Sequence, residues 1–139
     1  MIWRSAEFPA TEIGAREGVV ELVRDLASDG LSPDDLGTIE IVLAEVVNNI
    51  VEHANRDRDR GGVRISYCLM GNSLNMRIRD SGDGFEGAAL PAGKLPDIQV
   101  APEALPEGGF GWHLIRTLTS DVTYCRRDGW NDLGIRFDL

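Results

Sequence analysis

The spacing of apolar and polar residues predicts two helices in the first half of the chain. Apolar side chains recur at intervals of three and four over residues 11–29, and Gly30 follows as a residue that commonly ends helices. Ser32 can cap a second helix, and Pro33 suits its first position. This second helix is expected to run to about Asn55.

Strand-like segments follow in the middle of the chain. One starts at Val63 and another ends at Asp80, and Gly71 and Asn72 between them form a dipeptide typical of a two-residue hairpin turn. A weaker strand pattern covers the first eight residues. These segments predict a β-hairpin and one further strand.

The C-terminal segments predict a second β-hairpin. Its strands are expected at residues 121–127 and 133–139, with the sequence RDGWND between them. A short apolar helix is expected just before this hairpin, within the stretch GGFGWHLIRTL at residues 108–118 and after its glycines. Helices and strands in one chain of 139 residues indicate a single α/β domain that spans residues 1–139.

The second helix has an unusual polar face. Its apolar side is regular, but its polar side carries no lysine or arginine, whereas an ordinary solvent face mixes basic and acidic residues. Side chains three or four apart are neighbours on a helix, so this face could bring a carboxylate, amides and an imidazole together. A plain solvent face that lacks lysine is the alternative. The polar arc consists of Glu45, Asn48, Asn49, Glu52 and His53, and the apolar arc of Ile39, Leu43, Val46, Val47, Ile50 and Ala54.

A first glycine motif stands at the end of a predicted strand. Asp80 is followed by Gly82 and Gly84 in the sequence RDSGDGF. Such glycines suit a place where the backbone closely approaches another group. A plain turn and part of a calcium loop are alternatives, although the further spaced acids of a calcium loop are missing.

A second glycine motif, GGFG at residues 108–111, directly precedes the short apolar helix. Backbone N–H groups at such a helix start can bind an anion, and a flexible connection is the alternative. The preceding residues 86–107 contain four prolines and no convincing periodicity, which is typical of a functional or disordered loop.

Composition narrows the function classes. Acidic residues outnumber basic ones 23 to 14, which gives a net charge of −9 and argues against direct nucleic-acid binding. No apolar run approaches the ~20 residues of a membrane span, and the N-terminus does not have the pattern of a signal peptide. A cytoplasmic protein is therefore expected. The charged stretch RDRDRGG is either a basic contact patch or a solvated turn.

In combination, these motifs resemble the N, G1 and G2 boxes of the GHKL, or histidine kinase-like, ATPases. The segments EVVNNIVEHA, RDSGDGF and EGGFGWHLI are most similar to the stand-alone anti-sigma factor serine/threonine kinases. The resemblance covers about Leu36 to the C-terminus. It implies a two-layer α+β fold with a mixed, mostly antiparallel sheet, helices on one face, and ATP held beneath a lid at about residues 86–107.

The resemblance also implies a role for each matching residue. Asn49 would hold a Mg²⁺ ion that bridges the phosphates, and Glu45 would orient and deprotonate the acceptor hydroxyl. His53 would lie near the phosphates. Asp80 would accept a hydrogen bond from the adenine amino group. The glycines of the first motif, Gly82 and Gly84, would pass close to the base, and the phosphate loop would consist of Gly108, Gly109, Phe110 and Gly111.

The implied function is that of an anti-sigma factor kinase, active as a homodimer. It would sequester a sigma factor and phosphorylate a serine on an anti-anti-sigma antagonist protein. An ATP-binding partner-switching module without efficient kinase activity is the alternative, because Glu107 stands where the family has a basic lid residue. A histidine-kinase catalytic domain and a metal hydrolase built on Glu45, Asn49 and His53 are further alternatives.

Overall fold

The computed structural model describes residues 2–53, 62–81 and 110–139. Its strands form one five-stranded sheet in the order β1-β2-β3-β5-β4, and each pairing of neighbours is antiparallel. The predicted α/β architecture is confirmed, and the sheet is antiparallel rather than mixed over the described strands. The elements are β1 (Arg4–Phe8), α1 (Glu12–Ser28), α2 (Pro33–His53), β2 (Val63–Met70), β3 (Ser73–Asp80), α3 (Phe110–Leu118), β4 (Asp121–Arg127) and β5 (Trp130–Asp138).

Both long helices begin at hydroxyl side chains, and the predicted cap at Ser32 is confirmed. The Thr11 hydroxyl accepts a hydrogen bond from the Gly14 backbone N–H at 3.0 Å. The Ser32 hydroxyl likewise accepts from the Asp35 backbone N–H at 3.1 Å. These bonds satisfy backbone donors that have no partner within the first helical turn. Within the described ranges, no helix is long and apolar enough to cross a membrane.

The apolar arc of α2 forms the centre of the core. The residues of this arc that pack in the core are at most 3% exposed, and their burial confirms the predicted apolar face of the helix. Ile41, which falls on the polar side of the pattern, is 47% exposed. The burial of one face fixes the rotation of the helix, so Glu45 and Asn49 are turned away from the core and are half-buried. The buried members are Ile39, Leu43, Val46, Val47 and Ile50.

The C-terminal hairpin differs from its prediction. Strand β5 begins at Trp130 rather than at residue 133, and a two-residue turn at Asp128 and Gly129 replaces the predicted RDGWND link. Both turn residues have positive φ, 53° and 81°. This backbone is typical of the tight turn that matches strand twist, and Asp-Gly is one of its preferred dipeptides. The prediction was wrong because Trp130 and Asn131 were assigned to the turn instead of the strand.

Candidate functional site

The first cluster of predicted site residues lies on α2. The Asn49 side-chain nitrogen donates to the Glu45 backbone oxygen at 2.8 Å. Because this bond engages the amide nitrogen, the Asn49 side-chain oxygen is the atom suited to a metal ion. Mg²⁺ prefers oxygen ligands and often takes few of them from protein. The chemistry of Asn49 therefore fits the Mg²⁺ role that the family resemblance implies.

The start of α3 packs against this part of α2. A Cβ atom at Gly111 would lie 2.7 Å from Glu45 Oε2 and 3.6 Å from Asn49 Nδ2. A contact of 2.7 Å is too close for a real side chain, so only glycine at this position admits the Glu45 carboxylate as it stands. Residues from two separate sequence motifs thus meet at one point, where a carboxylate, an amide and the first turn of a helix are adjacent.

Asp80 lies in a second polar cluster, at the end of β3. It is 5% exposed, and directly opposite it in β5 lies Asn131, which is 3% exposed. The Asn131 side-chain nitrogen donates to Asp80 Oδ2 at 3.2 Å. The Asn131 oxygen accepts from the Tyr124 hydroxyl at 2.6 Å and from Arg126 Nη1 at 2.7 Å. A buried carboxylate is thereby held in a hydrogen-bonded network, as its burial requires.

The sequence analysis missed Asn131 and its two donors. The missing signal was the dipeptide Asp128–Gly129, which alone is sufficient for a two-residue hairpin turn. With the turn placed there, period-two alternation puts Asn131 on the same sheet face as the apolar residues that follow it. Sequence spacing could then have placed an amide on the core face of the last strand.

Several predicted site residues lie outside the described part of the chain. The side chains of His53 and Phe110 are among them, as are the predicted lid at residues 86–107 and the stretch at residues 54–61. On α2, Asn48 and Glu52 are exposed, unlike their half-buried neighbours Glu45 and Asn49. The remaining members of the two glycine motifs outside the described ranges are Gly82, Gly84, Gly108 and Gly109.

Comparison with known families decides the class of the protein. A family model described as a histidine kinase-like ATPase domain matches residues 8–137. This chain belongs to the histidine kinase-like ATPase family. The predicted GHKL resemblance is therefore confirmed, and membership of the family implies the use of ATP.

Relatives of this family member include bacterial serine-protein kinases. The serine-protein kinase RsbW of Bacillus cereus is 33% identical over 109 residues, which cover 78% of this chain and 68% of the relative. RsbW of Bacillus anthracis matches with the same identity and coverage. These relatives confirm the predicted likeness to serine-protein kinases.

Solved structures share the fold of this ATPase-family chain. A crystal structure of the RsbU and RsbW domains of a Mycobacterium tuberculosis protein superposes on all of this chain with a TM-score of 0.71 and 19% identity. This chain corresponds to 33% of that larger polypeptide. A solved chain of the histidine kinase AdeS of Acinetobacter baumannii superposes with a TM-score of 0.52 and 15% identity, over 100% of this chain and 68% of that solved chain. Both comparisons support the two-layer fold.

Proposed function

We propose that this protein is an ATP-dependent anti-sigma factor kinase that sequesters a sigma factor and phosphorylates a serine on an anti-anti-sigma antagonist protein. The observation that carries the proposal is the meeting of Glu45, Asn49 and Gly111 at the contact between α2 and α3. The serine-protein kinase names of the RsbW relatives point to the same chemistry.

The proposed reaction assigns separate work to the two α2 side chains. Asn49 would hold Mg²⁺ through its side-chain oxygen, and the ion would supply charge neutralisation at the phosphates. Glu45 accepts the proton of the serine hydroxyl while the serine oxygen bonds to the γ-phosphorus and the bond from that phosphorus to ADP breaks. Phosphoryl transfer depends mainly on such alignment and electrostatic stabilisation.

Asp80 selects the base in this proposal. Its carboxylate accepts a hydrogen bond from the adenine amino group, a group that guanine does not have at that position. Burial strengthens this choice, because a wrong base would leave buried polar atoms without partners. The ATP-binding residues proposed from the sequence motifs are then Asn49, His53, Asp80, Gly82, Gly84, Gly108, Gly109, Phe110 and Gly111.

A pull-down experiment tests the proposed function. The protein would capture partners from a lysate of its own source in the presence of ATP and Mg²⁺, and the captured proteins would be analysed by mass spectrometry. We expect a sigma factor among them and a new phosphoserine on a small antagonist protein. Capture of a sigma factor without any phosphoserine would favour the binding-module alternative.

Gly111→Ala is expected to reduce phosphoryl transfer about tenfold or more while the fold persists. The new methyl group would displace Glu45 Oε2, the end of a flexible side chain, so the rest of the structure can stay in place. Transfer to the antagonist would be timed with radiolabelled ATP, and unfolding would be followed by circular dichroism.

Gly37→Ala is the matched control for that substitution. Gly37 lies in α2, and a Cβ atom there would have no neighbour within 4 Å. Alanine inside a helix should raise the free energy of unfolding by roughly 0.5–1 kcal/mol and leave transfer unchanged. Equal transfer by both variants would contradict the packing of Gly111 on Glu45.

The proposed setting is a cytoplasmic homodimer that binds a protein partner through charge. A net charge of −9 would attract a basic surface on the sigma factor. If this attraction steers the encounter, the association rate constant should fall several-fold between about 0.05 and 0.5 M salt. Stopped-flow mixing at several salt concentrations measures it, and a constant rate would exclude steering.

A further inference from the structure

A row of polar side chains crosses three strands at one end of the sheet. Asp80 of β3 lies opposite Asn131 of β5, and Asn131 lies opposite Arg126 of β4. In the other direction the same row is apolar, because Asp80 lies opposite Val63 and Val63 lies opposite Phe8. The polar half of the row therefore lies on the sheet face that otherwise contributes to the hydrophobic core.

The Asn131 carboxamide is fixed in one orientation. Its oxygen accepts from the Tyr124 hydroxyl at 2.6 Å and from Arg126 Nη1 at 2.7 Å. An oxygen turned toward these donors leaves the amide nitrogen directed at Asp80 Oδ2, 3.2 Å away. The reversed amide would oppose an N–H group to Arg126, which can only donate, and an oxygen to the Asp80 carboxylate, so these two contacts disfavour it.

We propose that Asn131 is a positioning residue that holds Asp80 as a hydrogen-bond acceptor and so sets the preference for adenine over guanine. This inference rests on the proposed function, in which Asp80 reads the adenine amino group. Tyr124 and Arg126 act through Asn131, by keeping its N–H group turned toward the carboxylate.

The chemical basis is the difference between the two purines. Adenine offers an amino donor where guanine offers a carbonyl oxygen. A carboxylate oriented by an N–H donor is an acceptor, so it bonds with the amino group and repels the carbonyl. An Asp80 side chain without that donor could rotate or carry a proton, and a protonated carboxyl group could donate to guanine. Loss of the Asn131 N–H group should therefore lower selectivity more than it lowers general nucleotide binding.

Asn131→Asp is the sharpest variant for this inference. It keeps the shape of the side chain and the acceptor for Tyr124 and Arg126, and it replaces the N–H donor that faces Asp80 with a negatively charged oxygen. Calorimetry would give the dissociation constants of Mg-ATP and Mg-GTP for the wild type and the variant. We expect the ATP-over-GTP preference of the wild type to fall about tenfold or more.

Two further variants keep the test decisive. Tyr124→Phe removes the hydroxyl that donates to the Asn131 oxygen. It should lower the ATP-over-GTP preference about two- to fivefold. This variant tests the inference if Asn131→Asp does not fold. Asn75→Asp is the matched control, since Asn75 lies in β3 opposite Arg136 and is separate from the Asp80 network. It should leave both dissociation constants unchanged.

The possible outcomes distinguish failure of this inference from failure of the proposed function. If Asp80→Asn removes the ATP preference and both network variants keep it, the positioning role is wrong and the proposed function stands. If the wild type binds ATP and GTP equally, the base-reading role of Asp80 fails, and the inference fails with it. A lower melting temperature with an unchanged ATP-to-GTP ratio would mean that Asn131 is purely structural, which also overturns the inference.

Discussion

Glu45→Ala is expected to bind ATP and the sigma factor almost as well as the wild type and to phosphorylate the antagonist roughly 10²-fold more slowly or worse, the scale of lost general-base catalysis. In the proposed reaction, the carboxylate acts mainly when the serine hydroxyl attacks. An interaction made chiefly in the transition state lowers the rate with little effect on binding. Phosphoserine formation in single turnovers, together with calorimetric ATP binding, measures the two effects separately.

The chain offers a matched control for Glu45 on the same helix. Glu52 belongs to the same polar arc, but it is exposed, whereas Glu45 is half-buried beside α3. Glu52→Ala should therefore retain most of the transfer activity. If Glu45→Ala transfers phosphate as fast as the wild type, the general-base assignment is wrong. If the wild type binds ATP and its partner but never forms phosphoserine, the binding-module alternative is correct.

Asn49→Ala is expected to weaken Mg-ATP binding about tenfold to 100-fold and to impair transfer as well. This residue would touch the metal and phosphates before the reaction begins, so its loss affects the ground state and the transition state together. Loss of a hydrogen-bonding or ligand group to a charged partner has this order of cost. Calorimetry with and without Mg²⁺ would show the Mg²⁺ dependence of ATP binding largely removed.

The adjacent asparagine provides the comparison for Asn49→Ala. Asn48 is exposed on α2, while the Asn49 amide is tied to the Glu45 backbone with its oxygen available to a ligand. Asn48→Ala should therefore keep the full Mg²⁺ dependence. Equal losses in the two variants would assign the effect to the helix as a whole and refute a specific role for Asn49.

Sequence reasoning succeeded where the determining interactions are local. The rotation of α2 follows from its apolar repeat, so the half-buried positions of Glu45 and Asn49 could be anticipated from residues within a few turns. The approach of Gly111 to Glu45 joins residues 66 positions apart, and no local pattern encodes a distance between them. Sequence motifs predicted that these residues belong to one site, but only packing shows that they touch.

The polar network around Asp80 shows how an error in placing one turn affects the prediction of the site. Asp80 itself was predicted as a site residue, but assigning residues 127–132 to a turn removed Asn131 from the strand. Side chains alternate between sheet faces, so the start of a strand decides which residues are buried together. A correct two-residue turn would have paired Asn131 with Arg126 of β4, whereas the position of Asn131 beside Asp80 depends on the non-local pairing of β3 with β5.

The length of the tight turn at Asp128 and Gly129 bears on the proposed preference for adenine over guanine. Adding or deleting one residue in this turn would shift the pairing of β4 with β5 by one position and move Tyr124 and Arg126 away from Asn131. If Asn131 holds Asp80 as proposed, the length of this edge hairpin is constrained by recognition of the base. Exchange of this sheet edge between family members is then expected to change nucleotide preference without altering a residue of the α2 motif or of either glycine motif.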